Sequence, residues 1–355
     1  MKNKFVKFLN DVSQQDIHKV GGKAANLGEM IKTGLPVPEG FVLVVDSYKK
    51  FITVNKIDIK INQILKELDN NDFESIKKIS NKIKKLFELN ELPEDLIDEI
   101  DSSYEHIGSP EVVVRFSATM EDSPETSFAG QYDSFLNVKE KKQLHKYIKL
   151  CWASLWNARA LSYRLKQNIG DDQLEHAVVV QKLIKAQKSG ILFTANPVNN
   201  RRDQMLINSS WGLGEAIVSG DVTPDHWIVD RENHKIVEEE ISIKEKMTVL
   251  NNNGTELVDL NGDKQEQPSL DQSEVLELLK LGQKNEDYFE QPQDIEWAYF
   301  DNEIYLVQSR PITTLFPELK PEDSDNKLKI YTNFLLIDKV MPEPLTPIGE
   351  DIWNE

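Results

Sequence analysis

Cysteine is nearly absent from this 355-residue chain. Cys151 stands alone, which excludes an internal disulfide and fits a reducing compartment. Apolar runs are short: nowhere does the chain reach the roughly 18 consecutive apolar residues that would span a bilayer. The opening MKNKFVKFLNDVSQQ also lacks the sustained apolar core of a secretion signal. The expectation is a cytoplasmic protein with no membrane partner. Basic charge is lacking too. A formal net charge of -18 argues against a nucleic-acid surface, which needs a basic footprint. It leaves a nucleotide site open, since a few local cations and a metal suffice there. The histidines at 18, 106, 145, 176, 226 and 234 are scattered, and none shares metal-ligand spacing with another or with the cysteine. No zinc site is expected from such spacing. No catalytic triad emerges, and Cys151, set among apolar positions, reads as a small buried hydrophobe. Only His18, beside the first glycine turn, could lie near chemistry.

What the chain does contain is enough for two domains, or one large fold with two lobes. Its 39% hydrophobic and 29% charged residues indicate a folded protein. Val20-Gly21-Gly22-Lys23 leads into a helix from Ala24 to Ile31 closed by Gly34, with Lys23 near its N-terminus, a position that favours an anion. GGK lacks P-loop spacing, so a turn with a solvated lysine stands beside that reading. Pro36-Val37-Pro38-Glu39-Gly40 is a rigid turn and Phe41 to Val45 a buried strand. Glycine and proline are missing between Phe41 and Leu92. There Ile57, Ile61, Ile64, Leu65 and Leu68, then Phe73, Ile76, Ile79, Ile83, Leu86 and Phe87, predict two amphipathic structural helices. Pro93 starts another.

The stretch Glu111 to Val138 organises the rest. Val112 to Val114 form a short strand ending on Arg115, whose guanidinium is a rigid, permanently charged fork. A small-residue loop around Gly130 follows, where backbone N–H groups could approach a phosphate, and Phe135 to Val138 returns as strand. An ordinary surface loop is the alternative. From Lys139 to Asn168 one long helix is expected, with Leu144, Ile148, Cys151, Trp152, Leu155 and Trp156 inside; Arg159 and Arg164 could each be a phosphate ligand but read rather as surface or structural ion pairs. Strands are expected at 177–183, 189–194 and 205–208. Trp211-Gly212-Leu213-Gly214-Glu215 resembles a glycine loop without the dinucleotide spacing. A hairpin is expected over 227–239, a turn-rich polar excursion over 251–269, and a helix marked by Val275, Leu278, Leu279 and Gly282.

Near the end, Asp294 and Glu296 share one strand face, and Gln308 and Arg310 share another. A two-residue turn at Asp301-Asn302 would set Glu296 opposite Val307. A three-residue loop, Asp301 to Glu303, pairs 296 with 308 and 294 with 310. We expect the longer loop, with an unusual conformation at Asn302 or Glu303. That register gathers two carboxylates, an amide oxygen and a guanidinium, a set suited to Mg²⁺ between nucleotide phosphates. A solvated hairpin face is the other reading.

The blocks VGGKAANLGEM, GLPVPEGF, VVVRFSATMEDSPETSFAGQYDSFLNV, SGILFTANPV, WGLGEAIVSGDVTPD and DIEWAY…YLVQSRPI run in order from Val20 to Ile312. Together they resemble the ATP-binding domain shared by pyruvate phosphate dikinase, phosphoenolpyruvate synthase and rifampicin phosphotransferase. CWASLWNARA, FTANPVNNRR and GEAIVSGDVTPDHW lean toward the last. The resemblance implies an α/β (α+β) ATP-grasp fold with ATP and Mg²⁺ in a cleft between two lobes. The first lobe would span 1–190 with a helical insert at about 55–105, the second 191–315, and 316–355 would be a linker and the start of a substrate domain. It implies that Lys23, Arg115 and Arg310 hold phosphates. Ala129, Gly130 and Ser134 belong to the phosphate-covering segment and Gln181 to the adenine end, while Asp294, Glu296 and Gln308 face the metal. Phe116 stands where the common pattern has serine, and Tyr132 where a second glutamine is usual.

Complete enzymes of this group pass a phosphoryl group from the β position of ATP to a histidine on another domain, then to an acceptor, releasing AMP. No such phosphohistidine segment is visible here, so phosphohistidine and substrate domains are expected as partners in cis or in trans. A rifamycin hydroxyl is the expected acceptor and pyruvate the alternative. A non-catalytic nucleotide-binding or partner-docking module is the reading from a different class.

Overall fold

The structure is a computed structural model that describes residues 4–69, 72–118, 122–123, 126–127, 133–167, 176–252 and 254–316. Residues Met1–Leu315 form one compact unit and Phe316–Glu355 a second. All that follows concerns the first. Its leading part holds β1 (Val6–Phe8), α1 (Ile17–Lys32), β2 (Gly40–Leu43), α2 (Val45–Val54), α3 (Ile57–Leu65), α4 (Phe73–Leu89), α5 (Glu94–His106) and β3 (Val112–Ala118). Then come the short pair β4 (Asp122–Ser123) and β5 (Thr126–Ser127), β6 (Ser134–Val138), α6 (Glu140–Ala153), α7 (Ala158–Gln167) and β7 (His176–Lys182). Five of these strands make an antiparallel sheet in the order β1-β2-β7-β3-β6.

The remainder supplies β8 (Lys188–Phe193), β9 (Gln204–Trp211), α8 (Glu215–Ser219), β10 (Asp225–Asp230), β11 (Lys235–Glu240), β12 (Lys246–Asn251) and β13 (Gly254–Asp259). It ends in α9 (Gln272–Phe289), β14 (Gln293–Phe300) and β15 (Glu303–Pro311). The second sheet runs β11-β10-β9-β8-β14-β15, and β12 pairs with β13 in a hairpin outside both sheets.

Period-two alternation divides the first sheet cleanly. On β7, Val178 and Val180 join a core with α2 to α7, whereas Ala177 and Val179 face the other way. That second core contains α1 and continues into the other sheet through Leu192, Met205, Ile207, Trp227, Trp297 and Leu306. Helix α1 is therefore packed between the two sheets. Burying its Leu27 and Met30 contributes about 3–6 kcal/mol together. A whole domain keeps only roughly 5–15 kcal/mol of net stability, so this one helix can hold the sheets as a single unit.

Helix α1 starts earlier than expected and kinks at Gly21, where φ is +77°. A Cβ there would lie 2.4 Å from Ser117 O and Oγ, which only glycine avoids. The kink frees backbone groups, and one hydroxyl meets them: Ser117 Oγ donates to Val20 O (2.8 Å) and accepts from Ala24 N (3.2 Å). At the other end, Gly34 at φ +71° closes the helix, with Leu35 N bonded to Met30 O.

Four expectations need correction. Strand β3 does not end on Arg115 but runs to Ala118, because Phe116, Ser117 and Ala118 are buried between β7 and the packed helices. The strand at 41–45 stops at Leu43, and Val45 already opens α2, whose Val45, Tyr48 and Phe51 face the core. The single helix from 139 breaks into α6, a 3-10 turn at Ser154–Trp156 and α7. The excursion at 251–269 holds β13, which pairs with β12; neither face of β13 is buried, so no alternation announced it.

Glu29 of α1 is buried and ties the lobes together. It accepts from Gln14 N (2.7 Å) and from the Tyr288 hydroxyl on α9, with Lys32 at 3.5 Å. Burial pushes its carboxyl up, but the hydrogen bonds from Tyr288 and Gln14 and the Lys32 charge win, leaving it below the ordinary 4.5. A depressed carboxyl stabilises the fold above its unfolded value and loses that contribution as pH falls through the folded one. Urea midpoints should therefore decline for the parent as pH drops below 4.5, and Glu29→Gln should flatten part of that decline. Parallel curves for the two proteins would remove Glu29 from the acid transition.

Candidate nucleotide site

A cavity of about 790 Å³ opens between the two sheets. Its first wall comes from β3 and β7, its second from β8, β14 and β15; α8 and the β12–β13 hairpin close one end. Six of the expected residues line it: Lys23, Arg115, Ser134, Gln181, Glu296 and Gln308. They arrive from α1, three strands of the first sheet and two of the second. On β3, Val113 and Arg115 face the cavity while Val112, Val114 and Phe116 face the helical core. Phe116 is thus packing, and its departure from serine leaves the cavity unaffected. Gln181 is buried and donates from Nε2 to Pro38 O (3.2 Å), so the rigid Pro-Val-Pro turn orients its amide.

The hairpin β14–β15 reaches the expected pairing by another route. Its turn is the two-residue one, Asp301-Asn302, with both residues at positive φ (+52° and +63°), so the expected three-residue loop is incorrect. The pairing runs from Phe300↔Glu303 to Trp297↔Leu306, then shifts to Glu296↔Gln308, Ile295↔Ser309 and Asp294↔Arg310. Val307 is the extra residue, a β-bulge. The physical reason lies in the core. A three-residue loop without a bulge would put Ile304 and Leu306 on the Gln308 face, whereas both are buried with Trp297. The bulge keeps those two inside and turns Gln308 outward beside Glu296.

Val307 is also where the sheets meet: Arg115 Nη1 donates to its carbonyl at 3.3 Å. Glu296 and Gln308 make no side-chain hydrogen bond or ion pair among the described residues. Two such oxygen donors on neighbouring strand positions suit a hard cation. No group of three or more His, Cys, Asp or Glu side chains clusters among the described residues. A cation here would take its remaining ligands from phosphate oxygens and water.

Asp294 and Arg310 do not line the cavity. They pair with each other, Arg310 Nε and Nη2 donating to Asp294 Oδ2 at 2.9 and 2.8 Å, two residues along the strand from Glu296, about 7 Å away. Ala129 and Gly130, with Tyr132, lie outside the described residues. His18 is exposed on the first turn of α1, away from the cavity. Several charged lining residues were passed over in the sequence, Lys182, Asp221 and Glu256 among them. Arg159 of α7 adds a cation and Glu215 of α8 a carboxylate; the first sat in a helical pattern that reads as surface, the second in a loop lacking any recognised spacing. Arg164 is structural, buried against Trp156 with its Nη2 donating to Leu155 O.

A two-lobed α/β unit with cations and oxygen donors converging on one interlobe cavity is the architecture of an ATP-grasp nucleotide site. The profile of the pyruvate phosphate dikinase AMP/ATP-binding domain matches residues 17–330, and the chain belongs to that family. It is 42% identical to a probable phosphoenolpyruvate synthase of Methanocaldococcus jannaschii, over 92% of this chain and 28% of that one. It is 39% identical to the phosphoenolpyruvate synthase of Pyrococcus furiosus, over 92% and 46%. To the rifampicin phosphotransferase of Streptomyces sviceus it is 36% identical, over 99% and 40%. The chain thus spans less than half the length of these relatives. No helix among the described residues is long and apolar enough to cross a membrane.

Restoring the commoner serine tests the reading of Phe116. Truncating a buried phenylalanine leaves a cavity, so Phe116→Ser should cost about 3–5 kcal/mol in urea denaturation. Nucleotide affinity of the folded variant should equal the parent's. Weaker binding without lost stability would put Phe116 in the site.

Proposed function

We propose that this chain is the Mg-ATP-binding part of a phosphohistidine-dependent phosphotransferase. The observation carrying this reading is the convergence of Lys23, Arg115, Ser134, Gln181, Glu296 and Gln308 on one cavity, within a member of an AMP/ATP-binding family. Gln181 would stand at the adenine end. Lys23 and Arg115 would hold phosphates, and Arg310, beside the cavity on β15, would add its charge to theirs. Ala129, Gly130 and Ser134 would cover them. Glu296 and Gln308, with Asp294 behind, would hold Mg²⁺, which neutralises charge on the phosphates. On this reading the lobes divide near residue 190, and 316–355 begins a substrate domain.

The chemistry requires groups beyond these residues. A histidine nitrogen on a separate domain would take the phosphoryl group from the β position of ATP, with AMP leaving and the γ-phosphoryl group going to water as phosphate. The histidine would then pass its phosphoryl group to an acceptor oxygen. The motif wording and the alignment over 99% of the chain favour a rifamycin hydroxyl as that acceptor. Pyruvate is the second reading, favoured by the higher identity to phosphoenolpyruvate synthases.

Calorimetric titration tests the binding step. The parent should bind ATP in a magnesium-dependent manner, and Glu296→Ala should lose that dependence. Arg115→Ala should weaken binding about 10- to 100-fold, the range for removing one charged hydrogen bond. Lys82→Ala, on the solvated face of α4 where Lys82 pairs with Glu67, should change nothing. A well-folded parent that binds no ATP would favour the partner-docking reading instead. Supplying phosphohistidine and substrate domains, then rifamycin or pyruvate, separates the acceptors.

A further inference from the structure

We propose that Asn26 is a positioning residue that sets the spacing between the phosphate-facing helix and the cation-facing strand pair; this rests on the Mg-ATP reading above. Strand β15 is the last strand of its sheet, so its outer carbonyls have no neighbouring strand to pair with. Side chains of the other lobe take two of them. Arg115 donates to Val307 O, and Asn26 donates from Nδ2 to Ser309 O at 2.9 Å. Gln308 lies between these two anchored carbonyls and faces the cavity opposite Glu296.

The Asn26 side is over-determined. Its Oδ1 accepts from Gln14 Nε2 at 2.7 Å, which fixes the amide so that its NH2 must face Ser309. The Ser309 hydroxyl is gripped in turn, accepting from Asn285 Nδ2 (2.7 Å) and donating to Gln293 Oε1 (2.9 Å). Asn26 follows Lys23 by three residues on α1, so the two share a helix face one turn apart. A shift at the Asn26–Ser309 contact would change the distance from Lys23 to Gln308 and Glu296 directly. Asn26 touches no ligand on this account; it acts through the strand it holds.

The test compares ATP affinity with Mg²⁺ and in EDTA, by calorimetry on the chain as it is. The ratio of the two affinities measures the cation's share. Asn26→Ala should cut that ratio about 10-fold, as loss of an outer-shell partner does, while affinity in EDTA stays near the parent's. Asn285→Ala is the structural control: it removes a partner of the Ser309 hydroxyl but leaves the carbonyl bond, so it should lower the urea midpoint without moving the ratio. If Asn26→Ala does not fold, Asn26→Asp replaces it, keeping the acceptor for Gln14 and exchanging the donor for a carboxylate oxygen that cannot bond Ser309 O. An unchanged ratio in the folded Asn26 variant overturns the inference alone, as does an equal fall in Asn285→Ala. A parent that binds no nucleotide overturns the underlying reading and this inference with it.

Discussion

The Val307 bulge is the constraint on which the site depends. One extra residue in β15 lets Ile304 and Leu306 stay buried with Trp297 while Gln308, two positions on, faces the cavity. Without it, alternation would put Gln308 on the side of Leu306, inside the core, where an amide would need buried partners. The bulge also turns a carbonyl outward. That carbonyl is the one Arg115 meets from the other sheet. A local irregularity in one hairpin thus serves the core, the cavity and the junction between lobes.

A second irregularity answers it from the first lobe. Gly21 breaks α1 so that the helix can pass against β3, and Ser117 satisfies both loose ends of the break with one hydroxyl. Ser117 lies two residues beyond Arg115 on the same strand. The kink therefore fixes Lys23 relative to Arg115 through one short side chain, Ser117, whose hydroxyl is held by two backbone groups of α1. Rigid placement of that kind matters where two cations must be held near one another. Their mutual repulsion would otherwise spread flexible side chains apart.

Much of this was legible in the sequence, and the rest failed for identifiable reasons. The apolar spacing of Ile57 to Phe87 announced α3 and α4 because one face of each is buried and the other solvated. The pairing of Glu296 with Gln308 followed from their shared chemistry, but its cause did not. Parity alone cannot distinguish a longer loop from a bulge, since either adds one residue to the register. The burial of Ile304 and Leu306 decides between them, and burial is a tertiary fact. Hairpin β12–β13 was missed because Thr248 is its one buried residue, too little to impose a pattern. Arg159 was passed over because a helical arginine carries the same signal whether it faces solvent or a cavity.

Charge gives the last step. A protein of net charge -18 repels a polyphosphate at long range, yet screening limits that repulsion to about 8–10 Å at ordinary ionic strength. Within such a distance the cavity's own groups dominate. Lys23, Arg115, Arg159 and Lys182 stand on the first-lobe side, and Glu215, Asp221, Glu256 and the strand-borne carboxylate of Glu296 on the other. An anion alone would meet the carboxylates unfavourably, and a cation alone would meet the guanidinium and ammonium groups unfavourably. The ion pair of the two, a metal-chelated polyphosphate, would suit both walls at once. On the proposed reading a magnesium-bearing nucleotide would therefore suit the cavity better than either component, and keeping the two walls at a fixed spacing would be as consequential as the charges they carry.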